Sequence, residues 1–331
     1  MEWIGARRAA GRLLLTRAML VMVAAMAAAV PAAAQKYPSR QITIVVPFGA
    51  GSATDAAARM VAQHLQTALG QPEVIENKTG ANGTLAANTV ARATPDGYTL
   101  FLTTNSTHSA IALFKSVPYD PIADFTPVAR IGSFPSFLAV NPNLPIHTPA
   151  ELVAYGKANP SKLEYGSGNS TGQVSGEVFK RRMGINMVRV AYRSNPAALT
   201  DLIAGHISVM FPDFITGMPH VKAQKIRPIA VLTKDRNAAM PEVPTLSETV
   251  MPGFDTIAWA GLFGPASMPA DVVGVLGREL QKIVTTPETR DQLTGTGMEV
   301  FWIGPDQFPD YVKSELVKWT SLIKEAGIEP E

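Results

Sequence analysis

The chain has 331 residues, 46% of them hydrophobic, and no cysteine. A sizeable core is therefore available, while disulfides, thiolate metal sites and a cysteine-linked lipid anchor are excluded. Its formal charge of +2 comes from one end: Arg7, Arg8, Arg12 and Arg17 lie in the first 34 residues against Glu2 alone, and the rest of the chain is close to neutral. With no basic patch left, nucleic acid is not an expected partner.

In chain order, arginines come first, then an unbroken apolar run from Ala18 to Val30, then Pro31 and Ala32-Ala33-Ala34 before Gln35. A positive segment, a short apolar segment and a small-residue cleavage site are the parts of a secretory signal peptide, so residues 1–34 are read as one, cleaved near Ala34. The competing reading, a permanent anchor, needs about 20 apolar residues and this run is shorter. Ile42–Val46 follows as a buried strand that ends in Pro47-Phe48-Gly49. Ser52 and Asp55 form a Ser-x-x-Asp helix start, and Ala58, Val61, Leu65 and Leu69 recur on one face until Gly70 stops the helix. A strand, a glycine loop and a helix start aim unpaired amides and the positive end of a helix dipole at one point, which suits an anion. The residues expected to touch it are Phe48, Gly49, Ala50, Gly51, Ser52, Ala53, Thr54 and Asp55.

The alternation continues with a strand at 73–76, a helix at 82–93, a turn at Thr94-Pro95-Asp96-Gly97 and a strand at 98–103. Thr103, Thr104 and Asn105 end that strand on the same side as the first loop and are candidate ligand contacts. After a proline-rich bridge come strands at 128–131 and 137–140. A second half then repeats the pattern: Thr148 caps a helix that has Pro149 in its first turn, with strands at 163–165, 186–191, 207–211 and 227–232. Helices are read at 174–182, 197–204 (capped by Asn195-Pro196) and 214–223. A strand at 258–263 returns to the first half, and helices at 270–285 and 305–324 finish the chain. Strands separated by helices of this length predict parallel βαβ units. The implied architecture is α/β with two domains, 35–136 plus 258–331 and 137–257, and a cleft between them suited to a small ligand.

Several blocks carry a resemblance to a known family. They include Tyr37-Pro38-Ser39-Arg40, Ile44-Val45-Val46-Pro47-Phe48, Asp55-x-x-x-Arg59 and Leu69-Gly70-Gln71-Pro72. Val74-Ile75-Glu76-Asn77-Lys78, Pro95-Asp96-Gly97-Tyr98-Thr99-Leu100, Pro118-Tyr119-Asp120-Pro121, Asp124-Phe125-x-Pro127-Val128, Pro241-x-Val243-Pro244-Thr245 and Pro252-Gly253-Phe254 follow in register. Together they resemble the Bug family, the periplasmic substrate-binding receptors of tripartite tricarboxylate transporters. The resemblance implies a type II-like periplasmic binding protein with a hinge and an interdomain cleft. It would be a monomer that traps a small organic carboxylate and delivers it to membrane permease subunits. It also implies that two facing loops hold the carboxylate by backbone amides and waters. The second loop maps to Ser167, Gly168, Asn169, Ser170, Thr171 and Gly172, with Arg193, Phe211 and Asp213 bordering the cleft. Three departures bear on ligand identity: Gln173-Val174 replaces a His-Leu pair, Ala191-Tyr192-Arg193-Ser194 replaces Pro-Tyr-Lys-Gly, and the next segment reads Met210-Phe211-Pro212-Asp213.

Rival chemistries are weaker. Gly49-Ala50-Gly51 with Glu76 imitates a dinucleotide fingerprint but lacks the third glycine. Gly168-Asn169-Ser170-Thr171-Gly172 matches the Gly-x-Ser-x-Gly elbow of a secreted serine hydrolase, yet only His206 and His220 follow it, neither late in the chain. His64, His108, His147, His206 and His220 have no ligand spacing and are read as surface or capping residues. No metal or cofactor is expected. Arg193 is a candidate partner for a second carboxylate, and Phe48, Phe211 and Trp259 are candidate apolar walls. A receptor feeding a membrane sensor instead of a permease has the same sequence signature.

Overall fold

Two β-sheets organise the protein, for which a computed structural model describes residues 37–160, 162–295 and 297–331. The signal peptide read in residues 1–34 lies outside the described residues. The first half runs β1 (Ile42–Val46), α1 (Ala53–Leu69), β2 (Glu73–Asn77), α2 (Thr84–Ala91), β3 (Thr99–Thr104), α3 (Asn105–Ser109) and β4 (Phe125–Phe134). The chain then crosses to β5 (Phe137–Val140), α4 (Pro149–Ala158), β6 (Glu164–Ser167), α5 (Ser170–Met183), β7 (Val188–Ala191) and α6 (Asn195–Ala204). β8 (Val209–Met210), α7 (Phe214–Lys222) and β9 (Arg227–Val231) complete that half, and β10 (Ala258–Pro265) returns to the first. α8 (Ala270–Thr285), α9 (Pro287–Gly295), β11 (Glu299–Ile303) and α10 (Phe308–Glu325) close the chain.

The sheet orders are β11-β4-β10-β3-β1-β2 and β7-β6-β8-β5-β9. The expectation of parallel units holds for β1 with β2 and β3, and for β6 with β7 and β8. It fails elsewhere: β10 is antiparallel to β3 and β4, β11 to β4, and β5 to β8 and β9. The reason is the route of the chain. β10 arrives from the other sheet rather than through a helix crossover, so nothing forces it parallel. The α3 and α9 helices and β11 were not predicted; five to nine residues are too few to establish a period. The predicted helix at 82–93 starts later because Ala81 and Asn82 take positive φ angles of 44° and 51°, leaving α2 to begin at Thr84.

Among the described residues, three apolar clusters hold these layers. Val45, Phe101, Trp259, Phe263 and Phe308 fill the core against the six-stranded sheet. Leu138, Tyr165, Phe179 and Phe211 pack on one face of the second sheet, and Phe137, Leu199, Met210 and Phe214 on the other. α10 belongs to both: Phe308 and Val312 enter the first core, while Trp319 and Ile323 enter the second. His108, read as a surface or capping residue, is buried between the rings of Trp259 and Phe263 at 5.2 and 4.8 Å. Burial pushes its pKa down to about 4, so it stays neutral.

Candidate functional site

At the junction of the two halves lies a cavity of about 20 Å³. Both chain crossings form part of its wall: Phe134 and Ser136 where β4 passes to β5, and Ala258 where β10 begins. The rest comes from the starts of helices. Ser52, the N-cap of α1, contributes with Ala53 and Thr54; Asn169, the N-cap of α5, with Gly168 and Thr171. Asn195 opens α6, Asp213 caps α7, and Thr104 and Ser106 come from the β3–α3 corner. The first amides of a helix have no intrahelical acceptor, and each dipole adds positive potential at that end. No lysine, arginine or histidine is in this wall. The positive potential in the cavity therefore comes from oriented backbone rather than from cationic side chains.

Local sequence explains why each start sits where it does. Ser52 Oγ accepts from Asp55 N at 3.2 Å, and Asp55 reaches back to Gly51 N at 2.9 Å. Asn169 Oδ1 accepts from Gly172 N at 2.8 Å. Gly168 is required because the chain passes directly against the next helix start: a Cβ there would lie 2.3 Å from Asn195 N and from Ser194 C. The two predicted loops, residues 48–55 and 167–172, line the same cavity, and the second is tied to the β3–α3 corner. Ser170 Oγ donates to Ser106 Oγ at 2.8 Å, and Asn105 Nδ2 donates to Thr171 Oγ1 at 3.2 Å.

Of the residues singled out by sequence, Phe48, Ser52, Ala53, Thr54, Thr104, Gly168, Asn169, Thr171 and Asp213 line the cavity. Gly49, Ala50, Gly51, Ser167 and Gly172 are in the same loops but outside the wall; Asn105 and Ser170 also lie outside it, and their side chains tie the β3–α3 corner to the α5 loop. Asp55 turns the other way, toward Arg59 at 2.9 Å and Asn77 at 3.0 Å. Burial works to raise its pKa, but Arg59, the Gly51 amide and Asn77 outweigh that and hold it below the usual range. Thr103 Oγ1 bonds Thr107 Oγ1 at 2.6 Å. Phe211 is enclosed by Tyr165 and Phe179, and Trp259 is in the first core. Arg193 lines an adjoining chamber of about 170 Å³ that shares Phe48 and Gly168 with the cavity.

Sequence reasoning missed Ser106, Phe134, Ser136, Asn195 and Ala258 as wall residues. Asn195 carried a signal, since it opens a helix after a strand as Ser52 does, but it was read as the cap of α6. Instead Ser194 is the N-cap, and the Asn195 amide donates to Asp213 Oδ2 at 2.6 Å. The other four had none, because pairing of Ala258 with Phe134 joins residues far apart in sequence. Asp213 accepts from Thr216 N and Oγ1 at 2.8 and 3.0 Å. Burial pushes its pKa up against those donors and Asn195. The Ser170 hydroxyl meets that of Ser106, while His206 sits exposed beside Asp201.

Two α/β halves meeting over a small polar cavity, with helix starts converging on it, define the class of two-lobed solute-binding proteins. The model of the tripartite tricarboxylate transporter family receptor matches residues 57–328. The chain belongs to this family of solute receptors, which includes the Bug proteins. BugT of Bordetella pertussis is 29% identical over 311 residues, spanning 93% of this chain and 95% of that protein. An R. palustris protein solved with adipate is 33% identical, with a TM-score of 0.87 over 89% of this chain and all of that one. MatC from Rhodopseudomonas palustris with bound malate is 31% identical, with a TM-score of 0.82 over 87% of this chain and 100% of that chain. Among the described residues no helix is long and apolar enough to cross a membrane, and no cluster of three metal-ligating side chains occurs.

Proposed function

We propose that this receptor works in the periplasm, after loss of residues 1–34, by closing two lobes (35–136 plus 258–331, and 137–257) on a small organic carboxylate. A monomer then delivers the acid unchanged to the membrane subunits of a tripartite tricarboxylate-type transporter. The observation that carries the reading is a cavity lined by helix starts and free of cationic side chains. The first turns of α1 and α5 grip the carboxylate, with Ser52, Ala53, Thr54, Gly168, Asn169 and Thr171 around it. Charge-assisted hydrogen bonds of about 1.5–3 kcal/mol each, with dipole contributions of about 0.3–1 kcal/mol, account for micromolar binding, about −8 kcal/mol, without an arginine clamp. The structures solved with adipate and malate support the ligand class. A volume of about 20 Å³ suits roughly one water, so the lobes part about the two crossings to admit an acid.

Arg193, in the adjoining chamber, pairs with the second carboxylate of a longer ligand. The test is thermal stabilisation of the purified protein across mono- and dicarboxylates, with Arg193→Ala in parallel. Stabilisation by an acid without ester turnover is the expected result, and the mono-to-dicarboxylate preference falls in the variant. If no acid stabilises the protein, the reading is wrong. Crosslinking of the closed form to its membrane partner separates delivery to a permease from signalling to a sensor.

A further inference from the structure

The α6 and α7 side of the cavity differs chemically from the α1 and α5 side. Asn195 is 4% exposed, yet its Oδ1 has no hydrogen-bond partner, and the residue is part of the cavity wall. Its orientation follows from its neighbour: Nδ2 donates to Asp213 Oδ2 at 2.6 Å, which leaves the amide oxygen as the free end. Asp213, 5% exposed and also in the wall, is held by Asn195 and Thr216, all neutral donors. A buried carboxylate without a countercharge and a buried acceptor without a donor are each costly. Here they are adjacent, and both residues line the same small cavity.

We propose that the Asn195–Asp213 pair is a donor-selecting subsite: the preferred ligand is a carboxylic acid that also carries an ammonium or hydroxyl group, which donates to Asn195 Oδ1 and lies against the Asp213 carboxylate. This rests on the carboxylate reading above and adds a second requirement to it. One end of the ligand is an anion held by amides; the other presents a proton to two acceptors. An acid lacking the donor leaves Asn195 Oδ1 buried and unpaired and the Asp213 carboxylate without a countercharge, the situation in which binding sites discriminate most strongly. An ammonium gains over a hydroxyl by supplying the charge that Asp213 lacks.

Matched acids test it. Succinate, malate and aspartate share four carbons and differ at one position by hydrogen, hydroxyl and ammonium; adipate and 2-aminoadipate repeat the comparison at six. Calorimetric affinities of the full mature chain are expected to favour donor-bearing acids over plain ones by tenfold or more in at least one set. A larger gain for aspartate than for malate identifies ammonium as the donor; the reverse order identifies hydroxyl. Asp213→Asn keeps an acceptor for Thr216 N and removes the charge, and Asn195→Ala removes the free acceptor. Each is expected to cut the preference, read as the ratio of donor-bearing to plain-acid affinity within the same variant, to threefold or less. Thermal melts of the unliganded variants establish that they fold. Equal affinity for plain and donor-bearing acids, or a preference that survives both substitutions, overturns the subsite and leaves the carboxylate reading standing. If neither set binds, the carboxylate reading itself fails and the subsite with it.

Discussion

Gly168 and Gly172 stand four residues apart in the same Gly-x-Ser-x-Gly stretch, and the structure assigns them opposite tolerances. In Gly168→Ala the new methyl meets backbone, Asn195 N at 2.3 Å and Ser194 O at 2.6 Å, so no side chain can swing away. In Gly172→Ala the nearest atoms are Asn169 Oδ1 at 3.5 Å and Phe211 O at 3.7 Å, ordinary contact distances. Neither glycine has a positive φ, so steric contact alone separates them. Overpacking against a fixed neighbour costs about 1–3 kcal/mol. At about 2 °C per kcal/mol for a chain of this size, Gly168→Ala should melt roughly 2–6 °C lower. Since the displaced segment carries Asn195 into the cavity wall, affinity for a stabilising carboxylate should also drop by about tenfold, roughly 1.4 kcal/mol. Gly172→Ala should match the wild type in melting temperature. Differential scanning fluorimetry with and without ligand measures both quantities. Equal melting of the two variants would refute the argument that the α5 loop is seated against the start of α6.

Other expectations follow from single contacts. A double-mutant cycle with Ser106→Ala and Ser170→Ala should give a coupling of about 0.5–1 kcal/mol in urea unfolding, because the 2.8 Å bond joins the α5 start to the β3–α3 corner; additivity within about 0.3 kcal/mol argues that the two segments are not coupled there. Glu73 on β2 has both carboxylate oxygens buried without a partner, and burial pushes its pKa up to about 8. Its folded pKa lies above its unfolded one, so its contribution to stability is present at low pH and lost as pH rises through about 8. Melting curves from pH 4 to 9 should therefore decline more steeply for the wild type than for Glu73→Gln, and parallel curves count against that assignment.

Much of the site was written locally. A strand ending in Pro47-Phe48-Gly49 and a Ser-x-x-Asp start predict a helix N-terminus with open amides, and α1 begins at Ala53 behind a Ser52 cap. The run of residues 167–172 likewise announces a second helix start, read at Val174 and found at Ser170 behind an Asn169 cap. These signals are readable because caps and turns are decided by residues three or four apart. Less was legible where partners are distant. The reading of Asn195 as a cap used only its neighbours, whereas Asp213, eighteen residues on, takes its amide. Nor could spacing reveal that the Phe211 ring fills the second core while Asp213, two residues later, reaches the cavity wall.

The sequence by itself determined the two-half α/β order and the glycine-and-hydroxyl loops at helix starts, because strand period, helix period and capping are short-range properties. The tertiary structure alone decided that β10 pairs with β3 and β4, that the loops meet over one cavity, and that Asn195 and Asp213 share its wall. Those outcomes depend on which distant faces bury each other. That is a property of the packed chain as a whole, set by long-range hydrophobic burial rather than by any local stretch.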